Sequence, residues 1–123
     1  MPRLDHVNIH AVDGDRMVGF LEAVLEAREG RRPPFSNPGR WLYLDGQPAI
    51  HLDIVERDED FPPGMVNHIA FGVYDHDAAR DRIAATGYPF KVTGIPGTDI
   101  GQFFVRGPEG LLVEVQFRRA APA

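Results

Sequence analysis

The chain contains no cysteine. A disulfide framework and a thiolate site are thereby excluded, so any metal must be held by nitrogen and oxygen. Positive charge is also scarce, with 13 Lys and Arg against 18 Asp and Glu and a formal charge of −5. No basic stripe or cluster stands out, which argues against nucleic acid or an anionic membrane surface as a partner. No apolar stretch approaches the ~20 residues that span a bilayer, and the amino-terminal MPRLDHVNI lacks the apolar run of a signal peptide. A cytoplasmic protein with no membrane or nucleic-acid partner is expected. Long helices are not, because 13 Gly and 11 Pro imply many short elements joined by turns. The 123 residues, 43% of them hydrophobic, suit one domain that buries roughly two-thirds of its unfolded surface.

What is present is a repeat. In NHIAFGVYD, Asn67 to Asp75, the residues Ile69, Phe71 and Val73 alternate with His68, Ala70, Gly72 and Tyr74, the period of a half-buried strand. The pattern occurs earlier in DHVNIHAVD, where Val7 and Ile9 oppose His6, Asn8 and His10. His6 and His68 lie 62 positions apart, as do Asp13 and Asp75 and also Trp41 and Phe103. His51 and Glu114 lie 63 apart, which fits a turn longer by one residue in the second copy. Two copies of one unit are indicated.

Read in order, the first strand runs from about Arg3 to Val12, and Asp13 caps a helix with Met17, Val18, Phe20, Leu21, Val24 and Leu25 on its apolar stripe. Gly30 closes this stretch. The prolines between Arg31 and Pro38 predict a loop or an irregular edge strand. RWLYL and QPAIHLDI read as strands joined at Asp45-Gly46, a strong hairpin signal. Ile50, Leu52 and Ile54 share one face, leaving Ala49, His51 and Asp53 on the other. The acidic, proline-bearing stretch 56–64 is the expected linker. The second unit repeats the order with a strand from Met65 to Tyr74, Asp75 as N-cap, and a helix carrying Ala79, Ile83 and Thr86 that Gly87 ends. Strands in YPFKV, QFFVR and LLVEVQF follow, the last pair turned by Gly107-Pro108-Glu109-Gly110. The predicted fold is α+β: tandem βαβββ modules, about 1–55 and 65–119, forming a curved mixed sheet whose helix-free face makes a cup. Each helix covers the apolar face of its own sheet.

The face away from the helices carries His6, His51, His68 and Glu114. Sheets facing each other would gather these four side chains in one pocket. A lone His on a strand is usually a hydrogen-bonded structural residue, but four repeat-related positions, including a carboxylate inside LLVEVQF, point to a ligand set. Imidazole with carboxylate suits one divalent transition metal, Zn, Fe, Mn, Co or Ni, and two His with one carboxylate leave positions open for substrate. Asn8, His10, Tyr43, Tyr74, Gln102 and Phe104 are the expected substrate-binding residues around the cup. Trp41 and Phe35 are placed to cover a small apolar or aromatic molecule.

Through LDHVNI, AIHLDI, NHIAFGV and LLVEVQF the chain resembles the vicinal oxygen chelate superfamily of glyoxalases, extradiol dioxygenases and bleomycin or fosfomycin resistance proteins. The resemblance implies that the curved mixed sheet surrounds a metal-binding cup, with a metal at His6, His51, His68 and Glu114 that binds two adjacent oxygens of a small substrate, and with Glu114 and His51 as catalytic residues. A glyoxalase-like lyase or isomerase is the leading expectation. The alternatives are a single-domain Fe(II) extradiol-type dioxygenase with His51 as acid/base, and a non-catalytic small-molecule binding (resistance) protein. Glutathione-dependent glyoxalases place Arg and Asn where this chain has His10 and Val55, which turns the expectation toward another substrate. A homodimer is also expected, because open curved sheets expose edges that proteins cover.

Overall fold

The structure, a computed structural model, describes residues 4–56, 66–95 and 97–119. Its elements are β1 (Val7–Ala11), α1 (Gly14–Leu25), β2 (Arg28–Gly30), β3 (Gly39–Leu44), β4 (Gln47–Ile54), β5 (Ile69–Asp75), α2 (His76–Thr86), β6 (Phe90–Gly94), β7 (Ile100–Arg106) and β8 (Leu112–Arg118). This is βαβββ twice, an α+β fold built from tandem modules. The chain divides into two compact units, one carrying β1–β4, the other carrying β5–β8 together with the last turn of α1, Ala23–Leu25. Most of the predicted linker, and Met65 and Arg3 at the predicted strand starts, lie outside the described residues.

The first sheet has the order β1-β4-β3-β2 and the second β5-β8-β7-β6. In each, the strand before the helix pairs parallel with the last strand of its module, and the other pairings are antiparallel. The repeat holds at the level of register: Asn8 stands opposite His51, and Ala70 opposite Glu114. Both helices begin on an aspartate, whose carboxylate accepts from the backbone N–H three residues on, Arg16 for Asp13 and Ala78 for Asp75. Each cap satisfies a donor that the first helical turn leaves unpaired. Asp45 and Gly46 both take positive φ, as a two-residue hairpin of the twisted strands requires.

In the first sheet Ile50 and Leu52 are fully buried, and α1 starts against Ile54, which leaves no room for a side chain at Gly14. In the second, α2 packs on β5 and β8 through Ala79 and Ile83. Phe103 and Phe117 pack beneath it with tilted rings, their centroids 4.6 Å apart, and Val105, Val113 and Val115 are also buried.

Two expectations are corrected. The first helix does not run on to Gly30; it ends at Leu25, with Glu26 in the left-handed conformation, and Arg28–Gly30 forms the edge strand. The proline-bearing stretch that follows holds no strand, which is the loop of the two alternatives. The alternation of β5 breaks between Phe71 and Tyr74, where Gly72 and Val73 oppose the single residue Gln116. This bulge leaves Val73 55% exposed and turns Tyr74 to the face of Phe117.

Candidate metal centre

In the second unit, the face of the sheet opposite α2 is organised around Glu114. Its side chain is 5% exposed, and its two oxygens are both engaged: Oε1 lies 3.2 Å from Nε2 of His68, and Oε2 accepts from Nε2 of Gln116 at 2.8 Å. His68 sits immediately before β5, its Nδ1 2.8 Å from the side-chain oxygen of Asn67. The edge of its ring meets Phe104, the cross-strand neighbour of Glu114, with centroids 5.5 Å apart. Ala70 and Gly72 keep the β5 side of this face low, and a side chain at Gly72 would strike Gln116. Gln102 accepts from Thr93 at 2.8 Å on the same face. Tyr74 does not join them; its hydroxyl donates to the Leu25 carbonyl at 2.9 Å.

In the first unit, the corresponding face carries a column of three rings. His51 is sandwiched between His6 and Trp41, with centroid distances of 3.8 and 3.9 Å and nearly parallel planes. Burial, reinforced by the neighbouring His6, holds the His51 imidazole below its ordinary pKa, while a hydrogen bond to the Pro48 backbone pulls the other way. Proline has no N–H, so the ring donates to the Pro48 carbonyl. The donor is Nδ1, because Nε2 is buried with no hydrogen-bond partner among the described residues. A ring so held presents the bare lone pair of Nε2, the tautomer a metal ligand needs. One turn of the pleat away, Asp53 accepts from Asn8 and Asn37, each at 3.1 Å, with Arg32 and His10 both at 3.8 Å. Tyr43 donates to the Arg31 carbonyl at 2.6 Å, and Phe35 lies 6.2 Å from Trp41 with the Arg32 guanidinium over its ring.

The family model described as Glyoxalase/Bleomycin resistance protein/Dioxygenase superfamily matches residues 3–115. The chain belongs to this superfamily. A search of curated proteins returned no match. Among solved structures, a glyoxalase family protein from Bacillus anthracis is similar, at 23% identity and TM-score 0.71 over 96% of both chains. A glyoxylase/bleomycin resistance protein/dioxygenase domain from Frankia superposes at TM-score 0.77 and 19% identity, over 99% of this chain and 96% of that one. The fosfomycin resistance protein FosX from Listeria monocytogenes does so at 0.73 and 18%, over 95% and 93%. At such identities these likenesses establish the fold. Among the described residues no helix is long and apolar enough to cross a membrane.

Members of the superfamily typically bind a divalent metal. The donors here come in two pairs, His6 with His51 and His68 with Glu114, and no three His, Asp or Glu among the described residues form a ready-made metal group. The residues nevertheless fit such an ion in kind. The orphaned Nε2 of His51 and the buried carboxylate of Glu114 are atoms whose burial a cation would offset. Sequence reasoning missed Gln116 and the Asp53 cluster. Gln116 was findable, since it stands two residues from Glu114 and shares its face; the partners of Asp53 come from distant positions and leave no local signal.

Proposed function

We propose that this member of the superfamily is a divalent-metal-dependent enzyme of glyoxalase-like lyase or isomerase type, acting on a small substrate held through two vicinal oxygens. His6, His51, His68 and Glu114 would hold the metal. The observation that carries this reading is the buried Glu114 carboxylate paired with His68, with Gln116 occupying its second oxygen. A carboxylate buried on the face of a sheet away from its helix is costly unless something cationic is meant to reach it.

When bound, the metal supplies Lewis-acid polarisation of the substrate oxygens. The protein's own groups supply the rest. Gln116 holds Glu114 by one oxygen, so the carboxylate cannot swing away and Oε1 stays directed at the site. Trp41 and His6 clamp the His51 ring, and the Pro48 carbonyl fixes its tautomer. Glu114 or His51 would take the proton from a carbon next to a substrate carbonyl. Phe104 shields the His68 ring, and Trp41 covers one face of His51. The two modules are also read as parts of a single domain that pairs into a homodimer.

A second reading, an extradiol-type dioxygenase, is favoured by one observation: Nε2 of His51 is buried with no hydrogen-bond partner among the described residues, which leaves its lone pair open to a substrate proton. Elemental analysis of protein purified without added metal, followed by titration with Zn, Fe, Ni, Co and Mn and assays on dicarbonyl and catechol panels, tests both. Metal uptake with turnover of a dicarbonyl adduct is expected. Ring cleavage of a catechol with Fe(II) would move the assignment to the dioxygenase. Absence of any uptake would leave a non-catalytic binding protein.

A further inference from the structure

The open face of the second sheet continues past Glu114 into a cavity of about 360 Å³ lined by Pro89, Phe90, Lys91, Phe104, Arg106 and Leu112. That volume falls within the ~300–1,000 Å³ typical of small-molecule sites. Cross-strand register explains how the cavity arises. Lys91, Phe104 and Glu114 stand side by side on β6, β7 and β8, and Arg106 and Leu112 form the next row on the same face. Rows on one face are two residues, ~7 Å, apart along the strands. The cavity therefore begins in the row of Glu114 and extends into the next, and Phe104 belongs both to it and to the surroundings of the Glu114–His68 pair.

Its chemistry is two-sided. Pro89, Phe90, Phe104 and Leu112 make the walls apolar, while Lys91 and Arg106 bring two cations. Arg106 spends one nitrogen on the Gly110 carbonyl at 2.9 Å, which anchors its guanidinium and leaves other N–H groups to donate. Lys91 is the sole lysine of a chain with twelve arginines, and among the described residues its ammonium has no ion-pair partner. An acidic protein that sets two cations on the rim of an apolar cavity beside its reactive carboxylate has a site for an anion carried on an apolar body.

We propose that this cavity binds the end of a small molecule that bears an apolar body and a carboxylate, with Lys91 and Arg106 on the carboxylate and Phe104 and Leu112 on the body. The proposal deepens the reading above by naming a substrate class, but its test does not need the metal. Reductive ¹³C-methylation labels Lys91 and retains its charge, and the only other amine is at the amino terminus. Titration with hexanoate and 3-phenylpropanoate, and with their primary amides, is run in chelator and again with added zinc. The carboxylates are expected to shift the Lys91 methyl resonance saturably, and the amides to bind about tenfold more weakly or not at all. Lys91→Gln, read by calorimetry with folding checked by circular dichroism, should weaken the carboxylates about tenfold and leave the amides unchanged; Phe104→Ala should weaken both. Equal affinity for acids and amides, an unchanged Lys91→Gln, or no shift at millimolar acid would overturn the proposal. Carboxylate binding in chelator with no metal uptake would sink the metal reading alone, and uptake without carboxylate binding would sink the cavity alone.

Discussion

His68 and Glu114 face each other where β5 begins, imidazole Nε2 to carboxylate Oε1 at 3.2 Å. Glu114→Gln keeps the volume and a hydrogen bond to Gln116 but removes the charge that a cation would meet. Metal affinity should fall at least ~10-fold, with the fold intact by circular dichroism. Competition against a chelating dye measures it. Unchanged affinity would remove Glu114 from the ligand set.

The second core predicts its own weak point. Gly101 lies beneath the Phe117 ring so closely that a methyl group there would overlap it, and Phe117 is held in turn by Phe103 and by His76, 4.7 Å away. Gly101→Ala should cost about 1–3 kcal/mol through overpacking, and Phe103→Ala about 3–5 kcal/mol through the cavity it opens. Urea unfolding at neutral pH reads both. A smaller loss for Phe103→Ala than for Gly101→Ala would mean that the ring stack is not the rigid part of this core.

Much of this was legible because the repeat is regular. The offset of 62 or 63 matched His51 with Glu114, and the two sheets repeat their register accordingly, Asn8 opposite His51 and Ala70 opposite Glu114. Asp13, Asp75, Gly87 and Asp45-Gly46 named their caps and turn, since each satisfies a local geometric demand that few other residues meet. The β5 bulge was hidden because IAFGVYD alternates without a flaw, and only Gly72 hinted that the strand interior was irregular. The end of α1 was hidden for the opposite reason. Glu26 takes a conformation usually given to Gly, so no signal marks the stop at Leu25. The ring column and the Asp53 cluster are tertiary facts, built from residues as far apart as His6 and His51.

Arg40 ties three elements together. Its guanidinium donates to both oxygens of Glu29, at 2.9 and 2.8 Å, and also to Asp15 at the start of α1. The bond to Arg40 holds the Glu29 carboxyl below its ordinary range, against the opposing effect of burial. A carboxyl with a depressed folded pKa stabilises the fold above its unfolded pKa of 4.5, and that contribution is lost as pH falls through the lower folded value. Glu29→Gln should therefore lose less stability than the parent on acidification from pH 6 to about 3. At neutral pH the pair, being part-exposed, should be worth under about 1 kcal/mol. Parallel urea titrations at the two pH values decide it; identical pH slopes would show the bridge to be energetically idle.

Assembly is the next expectation. Each sheet ends in two edge strands, and Val73 and Val92, on β5 and β6, are about half exposed, with Leu4 and Val66 more so. Edges and apolar side chains of this kind are usually covered. A homodimer should appear by light scattering at micromolar concentration. A monomer that persists under those conditions would require the metal centre to be complete within one chain.

His51 is where the lyase and dioxygenase readings part. Its ring is stacked on both faces, its Nδ1 is committed to Pro48, and its Nε2 is buried without a partner among the described residues. As a ligand, this nitrogen would meet the metal directly, and His51→Ala should weaken metal binding ~10-fold or more, a loss at least like that of a residue supporting a ligand. As an acid/base, it would stand off the metal, and the same change should abolish turnover while metal content stays constant. Trp41, the single tryptophan of the chain, reports on the choice because it stacks on the same ring at 3.9 Å. Its fluorescence should change in step with metal titration in the parent and lose that response in His51→Ala. We expect the ligand outcome, since His51 occupies the repeat position of Glu114 and is held in the tautomer that leaves Nε2 bare. Full metal content in the variant, with a tryptophan signal that no longer follows titration and no activity, would assign His51 to proton transfer.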